Sequence, residues 1–389
     1  MLKLDGVAMI AEAERSTGLN DWGGDEFRAP FDRLIRSINE ESALNQLGYE
    51  RAVKRIQQRL NERLRLFEER KRRPEITQQK IERPVFVVGL PRAGTTYTHA
   101  LLGADPGNIA PIAWQLFIPT PPPNDPAIDH SAAIREAQEI VEYQGWNNQH
   151  IKALHDYNAL HPEECARIFE MTFHNLALVG YWNIPSYMMA LDYDCTPAYE
   201  LHKKVLQALQ IGVEGTKRWV LKSPEHTPQL ESLLKVYPDA VLVQNHRDPS
   251  KVMASLASII SGLQKLSTDQ APEISRPFVL GLMQAFAAGQ DALIKLRKNP
   301  EVDKHFIDVS YLDLERNPLA VMQRIYERAD MRFDEAAKKG ISNWVETHRK
   351  GKHGKHRYSL NSVSVTQAEA HEMFRHYLDH FNIELEPET

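Results

Sequence analysis

The run from Pro84 to Thr96, PVFVVGLPRAGTT, constrains this chain more than any other stretch. Valine-rich residues lead straight into Gly89, four residues intervene before Gly94, and Thr95 and Thr96 follow. Such a run forms a buried strand, a glycine turn and a helix start, and backbone N–H groups at that junction cradle a phosphate or a sulfate. The spacing fits the phosphate loop G-x-x-x-x-G-K-[ST], with Thr95 where the lysine stands. The nearest cation is Arg92, three residues earlier. A loop that keeps the cradle but moves the cation points to different chemistry on a related anionic ligand.

At 389 residues the chain holds one large α/β domain with helical additions, or two domains. A net charge of −5 argues against general nucleic-acid binding. Two cysteines, Cys165 and Cys195, do not make a disulfide framework, so a reducing, cytoplasmic location is expected. The first residues lack the basic start and apolar core of a signal peptide, and no apolar run reads as a membrane span.

Residues 1–80 read as a helical N-terminal extension. Leu34 to Arg73 carries apolar residues at helical spacing among many charges, which suits a packing appendage or a homo-oligomer contact. The basic knot Arg70 to Arg73 suits a helix end. From residue 81 to 389 the pattern predicts one α/β domain, a parallel sheet flanked by helices like that of P-loop nucleotide hydrolases. Strands are expected at 84–89, 218–222, 240–245 and 305–311. Helix starts repeat a polar cap followed by proline at Ser223-Pro224, Asp248-Pro249 and Asn317-Pro318. Residues 105–215 read as a mostly helical insertion able to roof the site at the strands' carboxyl ends.

Three further clusters carry chemistry. Arg247 leaves the third expected strand, and Ser255 lies eight residues on, about two helical turns along. Together they make a second anion site. Lys222 leaves the second strand and offers a cation to the same crevice, with His226 four residues later as a proton acceptor near neutral pH. The run from Arg349 to Tyr358 joins cations to two glycines and can fold over an anion, and Thr366 with Glu369 forms a capping box for the last helix.

These motifs, in this order, resemble the P-loop sulfotransferases that use 3′-phosphoadenosine 5′-phosphosulfate. The resemblance is to a bacterial-type branch with GLPRxGTT (Gly89–Thr96), LKSPxH (Leu221–His226), HRDP (His246–Pro249) and a late GKHRYSL (Gly354–Leu360), and it spans roughly residues 30–389. It implies that Arg92, Ala93, Gly94, Thr95 and Thr96 hold the 5′-phosphosulfate. Arg247 and Ser255 would hold the 3′-phosphate, Tyr311 would lie by the adenine, and Lys355, His356 and Arg357 would close over the donor. It also implies transfer of a sulfuryl group to a hydroxyl or amine without a divalent metal, with Arg92 and Lys222 stabilising the leaving oxygen.

The base that takes the acceptor's proton stays open at this point. His226 ranks first, because cytosolic members of the superfamily carry a histidine in a similar context. Glu164 ranks second and Glu163 is its neighbour and rival. Related chains usually read W-E-L where this one has Trp114-Gln115-Leu116, so a glutamate base at that position is absent here. The aromatic and methionine residues between Phe169 and Met189 favour an apolar small-molecule or lipid acceptor. A non-catalytic binding protein on the same fold and a nucleotide kinase are the rival readings.

Overall fold

The computed structural model describes residues 2–146, 157–191, 194–271, 273–348 and 360–387. Within them five strands form one parallel sheet: β1 (Val85–Gly89), β2 (Asn108–Ile109), β3 (Arg218–Lys222), β4 (Val241–His246) and β5 (Phe306–Ser310), in the order β2-β3-β1-β4-β5. Four lie within a residue of the expected bounds. β2 was not anticipated, because two residues carry no alternation to read.

The side-chain period of a strand splits the valine-rich runs between two cores. Val85 and Val87 face Leu101, Val243, Ile307 and Ile325. Phe86 and Val88 face Phe169, Tyr199, Leu221 and Leu242. A sheet covered on both faces explains why its strands are uniformly apolar rather than alternating.

β1 sits at the centre. The chain leaves it first toward β3 and β2, then returns on the other side to β4 and β5. The crevice at such a reversal, beyond the strands' carboxyl ends, is where open α/β sheets bind ligands. Register brings the ends of β1 and β4 level, with Gly89 beside Asn245, and places Lys222 beside Val87.

Helix caps follow the sequence closely. Asp248 accepts the Ser250 N–H at 2.9 Å, Asn317 accepts the Ala320 N–H at 3.1 Å, and Thr366 and Glu369 complete their reciprocal box. Ser223 caps a 3-10 turn, Pro224–Gln229, rather than an α-helix. Pro228 inside that turn lacks the N–H that an α-helix would need.

The N-terminal helices α1 (Gly6–Thr17), α2 (Arg28–Glu41) and α3 (Gln46–Arg72) share one core with the insertion, where Phe27, Phe31, Leu34 and Leu60 meet Trp114, Phe117, Phe173 and Trp182. The inner face of α3 carries Arg55, Arg59 and Arg63, all buried. Arg55 pairs with Glu170 at 2.6 Å and lies 3.8 Å from the Tyr181 ring centroid, and Arg59 donates to the Leu116 and Phe117 carbonyls. Glu170 also pairs with Arg167 at 2.6 Å. Those two cations outweigh burial and hold its carboxyl at about 2.

Among the described residues the helix Arg276–Arg297 is long and apolar enough, by composition, to cross a membrane. Its Val279, Met283, Ala287, Gln290 and Ile294 are buried against the protein at helical spacing.

Candidate active site

The phosphate loop runs from Gly89 at the end of β1 to the helix α4 (Thr95–Gly103). Gly89 has φ +129°, and a side chain there would collide with the carbonyl oxygen of Asn245. Gly94 has φ +88°, and a Cβ would stand 2.8 Å from the Tyr311 ring. Both glycines are therefore required by close approach as well as by backbone angle. Arg92 adopts φ +68° without being glycine, a strain that concentrates at functional loops. The loop is pinned from both sides. The Thr227 hydroxyl accepts the Gly89 N–H at 3.0 Å, and the Asn245 amide donates to the Thr98 hydroxyl at 2.8 Å.

On the β3 side, Lys222 is almost fully buried, with 3% of its side chain exposed. Its Nζ donates to the Thr96 hydroxyl at 3.2 Å and to the Glu164 carboxylate, whose side chain keeps 22% exposure. Cys165 N–H donates to the Lys222 carbonyl at 2.9 Å and so fixes the acidic segment beside the strand end. Glu163 is buried, and its carboxylate accepts the Glu164 N–H at 2.8 Å. That orients the pair with Glu164 toward Lys222 and Glu163 inward.

On the β4 side, Arg92 donates to the Ser255 hydroxyl at 3.2 Å. Ser255 lies on the helix Pro249–Gln264, so the serine eight residues after Arg247 does meet the loop. Arg247 donates to the Arg92 carbonyl at 3.0 Å and lies 3.8 Å from the Tyr311 ring centroid. Crowding by protein atoms, and then the charge of Arg247, holds the Arg92 guanidinium below the ordinary arginine range, although the side chain keeps solvent access. Burial alone would lower Arg247 as well, but its bonds to Glu386 and its contact with Tyr311 raise it. A cavity of about 540 Å³ opens beside these groups, lined by Arg247, Tyr311, Arg324, Arg328, Glu384 and Glu386.

His226 does not join the site. It is fully buried, with its ring 4.9 Å from Phe86 and 5.7 Å from Phe169, and its Nδ1 meets the Tyr199 hydroxyl at 2.8 Å. Burial, and then the neighbouring His202 and Lys222, hold it neutral well below the usual histidine range. A ring sealed under the sheet has no path to an acceptor, which corrects its first rank as the base. The cause is local: Lys222 ends β3 beside the loop, whereas His226 lies in the 3-10 turn that follows, with its side chain in the core.

Gln115 also has a structural task. Its side chain accepts the Ile112 N–H at 3.2 Å and donates to Asn124 at 2.9 Å. Phe169, Phe173, Tyr181, Trp182 and Tyr187 are buried in the core, while Met188 and Met189 are exposed. Lys355, His356 and Arg357 lie outside the described residues.

Four further residues meet these groups in the structure. Thr227 and Asn245 adjoin the sequence motifs and carried a signal, since both end or follow a strand. Glu225, the variable position inside LKSPxH, is buried; its carboxylate accepts the Ala177 N–H on one oxygen, and the other has no partner among the described residues. Burial, with Glu164 and Glu170 nearby, raises its carboxyl to about 8. Glu386 lies 139 residues from Arg247, too far for any motif.

A central parallel strand, a glycine loop at a helix start and cations at the flanking strand ends define a phosphate-loop α/β protein. The chain belongs to the sulfotransferase family: residues 84–335 match the family profile described as "Sulfotransferase family". It is 24% identical over 259 residues to the omega-hydroxy-beta-dihydromenaquinone-9 sulfotransferase Stf3 of Mycobacterium bovis, a match covering 63% of this chain and 62% of that protein's length. The fold is that of sulfotransferase STF9 from Mycobacterium avium, at TM-score 0.85 and 28% identity, covering 98% of this chain and 97% of that one. Sulfotransferase STF1 from Mycobacterium tuberculosis H37Rv is similar, at TM-score 0.81 and 28% identity, covering 95% of this chain and 98% of the other.

Proposed function

We propose that the protein moves a sulfuryl group from 3′-phosphoadenosine 5′-phosphosulfate to a hydroxyl of an apolar, lipid-like acceptor by in-line displacement without a metal. One observation carries this reading: Lys222 bridges the Thr96 hydroxyl of the phosphate loop and the Glu164 carboxylate.

The backbone of residues 92–96 and the start of α4 hold the 5′-phosphosulfate, favoured by the helix N-terminus. Arg247 and Ser255 anchor the 3′-phosphate, and Arg92 lies between the two ends of the donor. Lys222 has two partners to choose between. In the resting site it pairs with Glu164. As negative charge grows on the bridging oxygen, the ammonium shifts toward that oxygen and its hold on Glu164 weakens. Glu164 then becomes basic enough to take the acceptor's proton. A new S–O bond forms to the acceptor, the bridging S–O bond breaks, and adenosine 3′,5′-bisphosphate leaves with that electron pair.

The lipid-like acceptor rests on the name of the Mycobacterium bovis relative and on Met188 and Met189, which are 45% and 83% exposed on the insertion. The chain spans about 62% of that relative's length, so the acceptor itself is a proposal. Cys165 and Cys195, buried thiols not joined in a disulfide, suit a reducing cytoplasmic setting.

The deciding experiment is calorimetric titration with adenosine 3′,5′-bisphosphate against ATP–Mg, followed by turnover of labelled donor with a hydroxylated polyprenyl quinone. Preference for the bisphosphate and a labelled lipid product are expected. Preference for ATP–Mg overturns the donor, and tight donor binding with no product under any acceptor overturns catalysis.

A further inference from the structure

Arg247 and Ser255 both have partners within the protein. Ser255 accepts from Arg92, and Arg247 forms a two-pronged pair with Glu386, Nε to one carboxylate oxygen at 2.7 Å and Nη2 to the other at 3.0 Å. This fork-to-fork arrangement is the one by which a guanidinium grips a phosphate. The carboxylate therefore sits on the edge of Arg247 best suited to such a ligand.

The segment carrying Glu386 is tied in place without help from that side chain. The Glu386 N–H donates to Asp248 at 2.9 Å, and its carbonyl accepts from Gln367 at 2.8 Å. Asp248 is fully buried and is also held by His371 at 2.9 Å. Two residues earlier, Glu384 pairs with Arg316 at 2.6 Å. The segment forms one wall of the cavity that Arg247 and Tyr311 line. The physical need for a carboxylate here is plain. Arg247, with only 20% of its side chain exposed, donates to the Arg92 carbonyl and its charge disfavours the Arg92 cation, so a counter-charge beside it is favourable.

We propose that Glu386 is a built-in stand-in for the donor's 3′-phosphate. Its carboxylate holds Arg247 in a phosphate-ready orientation and yields to a nucleotide bearing a 3′-phosphate. It therefore acts as an internal competitor that weakens donor and product alike. This rests on the assignment of Arg247 to the 3′-phosphate. A ligand lacking that phosphate leaves the pair closed and feels no competition. If the pair is closed nine-tenths of the time, apparent affinity for a 3′-phosphorylated nucleotide falls about ten-fold.

The test is calorimetric titration of the full chain and of Glu386→Gln, Arg247→Ala and the double variant, each with adenosine 3′,5′-bisphosphate and with adenosine 5′-monophosphate. Glu386→Gln keeps both backbone bonds of residue 386, and its melting temperature checks the fold. Glu386→Gln should bind the bisphosphate about ten-fold more tightly and the monophosphate unchanged, and the gain should vanish in the double variant. Unchanged or weaker bisphosphate binding in Glu386→Gln overturns the stand-in. If Arg247→Ala then still abolishes the preference for bisphosphate over monophosphate, the donor assignment survives alone. If Arg247→Ala leaves that preference intact, the 3′-phosphate assignment fails and the stand-in fails with it.

Discussion

The ends of β3 and β4 solve one problem in two ways. Each delivers a cation to the rim beside the phosphate loop, and each cation is held by a carboxylate from elsewhere in the chain, Lys222 by Glu164 and Arg247 by Glu386. The lysine is a compact point charge on a flexible stem, bonded also to a loop hydroxyl. The arginine is a planar fork, stacked on Tyr311 and bonded on two edges. A point charge can follow a developing charge, whereas a stacked fork fixes a ligand that does not change. The contrast is what the proposed division rests on, transfer chemistry on the β3 side and anchoring on the β4 side.

Lys222→Ala should break that division most visibly. Turnover is expected to fall about 10³-fold with donor affinity changed only a few-fold, as for loss of a group acting on transition-state charge. Equal losses in both would make Lys222 an anchor like Arg247. Glu164→Gln should lower turnover about 10²-fold, measured with saturating donor. His226→Asn should instead lower the melting temperature, because it disturbs a buried ring and the Tyr199 hydroxyl bonded to it. A folded His226 variant with the larger turnover loss would return the base role to histidine.

Arg247→Ala should weaken donor binding about 10- to 100-fold, the scale of a charge-assisted bond, with a smaller change in turnover. If the donor still bound normally, the anchoring half of the comparison would be lost.

The smallest effect concerns Glu225, in the turn just after Lys222. Its carboxyl is raised from 4.5 to about 8 by burial and nearby carboxylates, so the folded protein binds a proton there that the unfolded chain releases. Stability from this group is full below pH about 4.5 and is lost as pH rises through about 8. Glu225→Gln should flatten the decline of the melting temperature between pH about 5 and 8. An unchanged slope would show that the carboxyl is ionised in the folded state.

Legibility followed the range of each interaction. The glycine loop, the four longer strands and the polar-cap-then-proline starts depend on neighbours within a few residues, and the structure keeps them, except that Ser223-Pro224 opens a 3-10 turn. The family itself was readable because four motifs preserve their order. His226 was misplaced because its distance from Lys222 in sequence says nothing of which way a 3-10 turn aims each side chain. The aromatic residues of the insertion read as an acceptor lining, yet they pack against α1 to α3. That partner surface lies more than a hundred residues earlier in the chain for most of them.

The sequence alone determined the cradle, the parallel sheet and the cations at its strand ends, because backbone angle, side-chain period and capping are local properties of the chain. Only the tertiary structure decided which carboxylate each cation meets, which of two neighbouring glutamates faces the rim, and that the histidine is sealed in the core. Those outcomes depend on segments brought together by burial of apolar surface, and that driving force specifies how much area leaves water without naming, in any local pattern, the pairs that result.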